Sequence, residues 1–173
     1  MTKPDDRLHH TAIHEAGHAV AHVRLGLGHD GAHIIPNEED GTLGGALGEG
    51  AKQVWDKDGA EPVVLSFLAG YAALVAAGVS VSVARRGADQ DFEEAEEVIS
   101  FWGLHGDIEV WLARSVELMR RPENLAAVAL VAEHLLQRRR LPFDYVGVLV
   151  DMADGNVTEA DFARFLRFQG YAP

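Results

Sequence analysis

The chain has 173 residues, no cysteine and a formal net charge of −12. Its length predicts one domain, residues 1–173, with a sizeable core. The absence of cysteine excludes disulfides and thiolate metal sites, so any metal must be held by histidines and carboxylates. The acidic balance argues against nonspecific nucleic-acid binding, which needs a basic surface. Met1 to Arg7 is polar and shows no signal-peptide pattern, so we expect a cytoplasmic protein.

The first predicted helix, about residues 8–25, contains the motif H-E-x-x-H as His14, Glu15 and His18. Positions i and i+4 of a helix lie one turn apart on the same face, so the two histidines can bind one metal ion. Glu15 stands beside them, where its carboxylate can accept a proton from metal-bound water. The motif predicts a zinc site with Glu15 as the catalytic base.

The remaining histidines show no spacing that predicts a site. His22, one turn past His18, is a candidate to stabilise an oxyanion, although a surface histidine is the simpler interpretation. His33 and His134 are not spaced from other residues in a way that predicts a site.

Two short extended segments follow the first helix, at residues 33–36 and 43–47, around the polar loop Asn37 to Gly41. They predict a small β-hairpin or edge strand near residues 33–48. Leu43 to Gly48 could pair with an extended substrate through its backbone, although a plain loop fits this glycine-rich sequence equally well.

A stretch of 22 uncharged residues runs from Val63 to Ala84, which is long enough to span a bilayer. A buried helix from Pro62 to Ala77 is the better interpretation, because it would measure about 24 Å against a span of roughly 30 Å. Pro62 suits a first helical turn, and Trp55 to Glu61 then forms a charged connector. Val79 to Val83 alternates with period two, which favours an extended segment.

A catalytic zinc usually has three protein ligands, so a third must follow. The pattern H-E-x-x-H-x-x-G-x-x-H fails because Ala21 and Arg24 occupy its last two defined positions. A predicted helix at about residues 89–103 carries four glutamates, and spacing alone does not choose among them: Glu93, Glu94, Glu96 and Glu97.

The rest of the chain, about residues 107–169, predicts four more helices, so the fold class is mainly α. Their expected ranges are Asp107 to Met119, Pro122 to Arg139, Phe143 to Met152 and Thr158 to Phe168. Arg138 to Arg140 suits a last helical turn, where cations complement the helix dipole. The segment from Asp154 to Asn156 predicts a turn, because an EF-hand alignment would put Val150 and Met152 at ligand positions.

Several short motifs of residues 8–104 occur in an order that resembles the peptidase domain of the FtsH family of ATP-dependent zinc proteases (peptidase family M41). They are His14 to Ala19, Ile34 to Pro36, Ala46 to Gly48, Leu68 to Gly70, Gly87 to Asp91 and Trp102 to Leu104. The resemblance implies a helical zincin-type domain in which Asp91 is the third zinc ligand. Asp89 is then expected to cap the helix.

Two departures from this family stand out. Leu74 replaces the glutamate that usually follows the Leu-Ala-Gly-x-Ala-Ala motif, and the chain contains no G-x-x-x-x-G-K-[ST] loop for ATP. The membrane anchor typical of the family is also not found. We therefore expect no membrane association and treat oligomer formation and a separate ATPase partner as compatible with the resemblance.

The function expected from these features is zinc-dependent cleavage of peptides or of unfolded protein segments. Two alternatives stay open: a zinc-bound interaction module without catalysis, and a different H-E-x-x-H enzyme that cleaves a regulator. The latter would take its third ligand from Glu93, Glu94 or Glu97 rather than from Asp91.

Overall fold

The computed structural model describes residues 4–28, 30–36, 44–47 and 56–171, and the predicted mainly α fold class is confirmed over them. These residues form nine helices and three short strands. In chain order they are α1 (Pro4–Leu25), β1 (Gly31–His33), β2 (Gly45–Leu47), α2 (Lys57–Phe67), α3 (Ala69–Ala76), α4 (Val81–Ala84), α5 (Asp89–Trp102), α6 (Ile108–Met119), α7 (Pro122–Arg138), β3 (Arg140–Pro142), α8 (Phe143–Ala153) and α9 (Glu159–Gln169).

The motif helix α1 lies in the middle of the core, where it packs against α3 and α7. Four of its buried residues are alanines, which lets the neighbouring helices come close: Ala12, Ala16, Ala19 and Ala21. A very close approach occurs at Gly17, where a Cβ atom would lie 2.6 Å from both the carbonyl oxygen of Ala69 and the Cβ of Ala73. Only glycine fits this crossing of α1 and α3.

The predicted single helix from Pro62 to Ala77 is wrong in two respects. The helix begins earlier, at Lys57, because the Asp56 side chain accepts a hydrogen bond from the Gly59 amide and caps it, so Pro62 lies inside α2. The charged connector was therefore wrong for residues 57–61. The helix also breaks at Leu68, where α2 and α3 meet at a bend of 48°.

Among the described residues, no single helix is long and apolar enough to cross a bilayer, although the bent pair α2 and α3 would qualify together by length and composition.

The extended segment predicted at Val79 to Val83 is also wrong. Ser80 is extended, but Val81–Ala84 forms the helical turn α4. Val81 is 56% exposed, so the alternation of valines does not reflect pairing in a sheet. The next helix was predicted correctly, since α5 covers Asp89–Trp102 and ends at Gly103 in the left-handed conformation.

The three strands form an antiparallel sheet in the order β2-β1-β3. The predicted hairpin near residues 33–48 is confirmed as β1 and β2, although Asn37 to Gly41, Leu43 and Gly48 lie outside the described residues. Strand β3 was missed because Arg138 to Arg140 had been assigned to a helix end. Arg139 has a φ of 67°, which stops α7 and turns Arg140 into the strand.

The helices after residue 107 follow the predicted boundaries closely. Thr158 and Asp161 form a capping box at the start of α9. The turn at Asp154 is tied back to the end of α1, because the two terminal nitrogens of Arg24 donate to the Asp154 carboxylate at 2.6 Å each. The Nε of Arg24 donates to Asn124 Oδ1 at 2.7 Å, which adds α7 to this network.

The crossing of α1 and α3 yields a testable expectation. Gly17→Ala should lower the free energy of unfolding by roughly 1–3 kcal/mol, because the added methyl group overpacks a tight contact. Gly147→Ala, on α8, is the matched control. A Cβ there meets nothing within 4 Å, so this change should stabilise the protein by about 0.4–1 kcal/mol. Urea unfolding of both variants measures the difference, and equal effects would show that the contact is not tight.

Candidate metal centre

Helices α1 and α5 bring His14, His18 and Asp91 together. Each offers one ligand atom, and these atoms lie within 4.8 Å of one another. Asp91 Oδ2 is 3.1 Å from His14 Nε2 and 3.4 Å from His18 Nε2. The two Nε2 atoms are 3.0 Å apart. Two imidazoles and one carboxylate make a donor set typical of catalytic zinc sites.

Asp91 reaches this group from the first turn of α5. In the described part of the chain it is the only acidic residue that joins His14 and His18 in such a cluster. The alternative ligands Glu93 and Glu97 are exposed, and Glu94 accepts a hydrogen bond from Gln90. Asp89 was expected to cap α5, but the cap position belongs to Ala88, and Asp89 is the first helical residue.

His18 is oriented by a backbone carbonyl. Its Nδ1 lies 2.8 Å from the carbonyl oxygen of Ser66, deep in the core, where it can only donate. This contact turns Nε2 toward Asp91 and His14, as outer hydrogen bonds commonly do for metal-binding histidines. Sequence reasoning could not find this partner, because every residue has a backbone carbonyl and the residue type does not indicate which one is used.

Gly70 of α3 lies directly beneath both imidazoles. A Cβ there would be 2.5 Å from His18 Nε2 and 2.6 Å from His14 Cε1. The Leu-Ala-Gly motif therefore provides space for the rings. Leu74, one turn later, is buried at 4% exposure and brings no carboxylate to this helix.

The electrostatics of the three side chains favour a cation between them. Burial disfavours a charged His18, but the charge of Asp91 and its hydrogen bond outweigh burial and raise the pKa of His18 to about 9. Burial alone would raise the pKa of Asp91, yet the two histidines hold it well below its usual range. In neutral His18 the Nε2 lone pair faces a carboxylate oxygen, and a metal ion would relieve that repulsion as a proton does. The residues thus fit a metal.

Glu15 is buried beside this group, at 7% exposure. Burial raises the pKa of its carboxyl group, and the nearby His14 and His18 partly oppose that rise. Gly44, directly before β2, lies over it, since a Cβ on Gly44 would be 2.9 Å from both Cγ and Oε1 of Glu15. A carboxylate with a raised pKa is suited to accept and return a proton near neutral pH.

Two histidines differ from expectation. His22 is buried, at 5% exposure, because α1 is covered by α3 and α7, so the surface interpretation was wrong. His33 had no site assigned, yet its charge acts on Glu15 and lowers its pKa. It lies on β1 opposite Gly45, a proximity that only the hairpin creates.

No known family model matches this chain. No curated protein matches it either.

The third ligand can be tested by substitution. Asp91→Asn should weaken zinc binding by about 100-fold or more, because removing a direct ligand should exceed the 10- to 100-fold typical of outer partners. Glu94→Gln, on the same helix, is the control and should bind as the wild type does. Competition with a chromophoric chelator measures both. Unchanged affinity in Asp91→Asn would exclude Asp91 as a ligand.

The His18–Asp91 pair predicts a pH dependence in the metal-free protein. The pKa of His18 rises from 6.5 to about 9 on folding, so its contribution to stability is complete below pH 6.5 and is lost as the pH rises through 9. Urea unfolding with a chelator present should therefore show falling stability across that range. His18→Gln should have a flatter profile, and a wild-type profile equally flat would refute the pairing.

Proposed function

We propose that this chain is a zinc-dependent metalloendopeptidase that cleaves unfolded or disordered protein segments in the cytoplasm. The observation that carries the proposal is the convergence of His14, His18 and Asp91 within 4.8 Å, with buried Glu15 adjacent on the same helix. A non-catalytic metal site has no need of a carboxylate in that place.

His14, His18 and Asp91 would hold the metal. When bound, zinc supplies a water of lowered pKa, roughly 7, and polarises the substrate carbonyl. The burial of the site keeps its charges from being screened by solvent.

Glu15 is the proton carrier in this proposal. Its carboxylate takes a proton from the attacking water and delivers it to the nitrogen of the departing amine. Burial raises the pKa of this group, and the neighbouring histidines moderate the rise. The raised pKa makes this carboxylate a stronger proton acceptor than an exposed glutamate.

The position of β2 at the edge of the sheet is an argument for an extended substrate. In the described part of the chain β2 pairs with β1 alone, and β1 separates it from β3. Gly44, the residue directly before β2, lies against Glu15. A peptide that pairs with this edge would be held by main-chain hydrogen bonds. These bonds depend little on the identity of the side chains, which suits unfolded segments of varied sequence.

The motif order that resembles the M41 peptidases supports the same function. This sequence contains no phosphate-binding loop of the G-x-x-x-x-G-K-[ST] type, so degradation of folded targets would draw on a separate ATPase partner.

The first test is a paired measurement on wild type and Glu15→Gln. We expect about one zinc per chain in both, set by the three ligands. Cleavage of unfolded casein should fall by about 100-fold or more in the variant, the usual contribution of a general base. Glu96→Gln, an exposed carboxylate on α5, is the control and should cleave as the wild type does.

Other results would point elsewhere. Zinc bound by both proteins without cleavage by either would favour the interaction module. Full cleavage by Glu15→Gln would remove Glu15 from the mechanism, and a wild type that binds no zinc would reject the proposal as a whole.

A further inference from the structure

The break between α2 and α3 presents two neighbouring carbonyls to side chains of other helices. The Ser66 carbonyl accepts the hydrogen bond of His18 Nδ1 at 2.8 Å. The preceding carbonyl, of Leu65, accepts one from Ser115 Oγ on α6 at 3.2 Å. The bond from α6 therefore lies one peptide unit from the bond that orients a candidate ligand.

The break itself makes these carbonyls available. In the interior of a helix each carbonyl is used by the amide four residues later, whereas the last four need other partners. Because α2 ends at Phe67, Leu65 and Ser66 belong to its last turn. An unbroken helix through Leu68 would direct these carbonyls along its own axis rather than toward α1 and α6.

Two serine hydroxyls bind carbonyls of this turn. Ser66 Oγ donates to the carbonyl of Val63 at 2.8 Å, a backbone contact that tends to bend helices. Ser115 is fully buried and faces α2 across the packing of α6. A hydroxyl in such a place destabilises the fold unless it is hydrogen-bonded, so its bond to Leu65 is strongly favoured.

We propose that Ser115 is a positioning residue for His18. By binding the Leu65 carbonyl it fixes the end of α2, so that the Ser66 carbonyl faces His18 Nδ1 and His18 Nε2 faces Asp91. The effect on metal affinity rests on the function proposed above, whereas the effect on the His18 ring does not. A role in packing α6 against α2 alone would change stability and leave the His18 ring unaffected.

The test follows the His18 Nδ1 proton in the full chain, labelled with ¹⁵N-histidine and assigned with His18→Gln. In metal-free Ser115→Ala this proton should exchange with water several-fold faster than in the wild type. In a separate titration, zinc should bind about tenfold more weakly, the lower end for outer partners. Ser115→Cys, a weaker donor of similar size, should be intermediate. Ser100→Ala, an exposed serine on α5, should match the wild type.

Each outcome decides the proposal. If proton exchange and zinc affinity in Ser115→Ala equal those of Ser100→Ala, the proposal is overturned, even when the melting temperature falls. Faster exchange in a protein whose wild type binds no zinc would support the positioning of His18 and reject the metallopeptidase. If Ser115→Ala does not fold, the same two measurements on Ser115→Cys decide.

Discussion

The close approach of α1 to α3 is the constraint on which the site depends. It is possible only because glycines lie at the contact: Gly17 meets the backbone of Ala69, and Gly70 lies under the rings of His14 and His18. Protein interiors are packed as densely as organic crystals, so an added methyl group at either position must displace a neighbour. The same contact that completes the core also fixes how deeply the histidines are buried.

This burial determines the electrostatics of the site. Out of water, the charges of Asp91 and His18 act strongly on each other, and each shifts the other's pKa toward the charged form. Burial raises the pKa of Glu15 and so shifts it toward the protonated form. The same buried environment thus favours a cation between His14, His18 and Asp91 and makes Glu15, the residue after His14, a proton acceptor.

Local sequence signals predicted much of the fold, and two of the misses arise from tertiary contacts. The helix predicted at about residues 89–103 is observed as Asp89–Trp102, and His14, Glu15 and His18 followed from helical spacing alone. The assignment of Asp91 as the third ligand required the family resemblance, because four glutamates on the same helix fit the spacing argument as well. The break at Leu68, strand β3 and the burial of His22 were missed. Strand β3 and the burial of His22 depend on partners distant in sequence, which local propensity does not register.

Helix α3 links the two halves of the candidate centre. It carries Gly70 beneath the histidines of α1, and its next residue, Tyr71, meets Phe92 of α5 edge to face at 5.4 Å. Phe92 directly follows Asp91 and is covered on its other side by the Arg85 guanidinium at 4.5 Å. An aspartate has a short side chain, so it can join the histidines only if the start of α5 is held close to α1. Two adjacent residues of α3 therefore position the metal-binding group. Gly70 leaves space for the histidine rings, and Tyr71 packs against Phe92 beside Asp91.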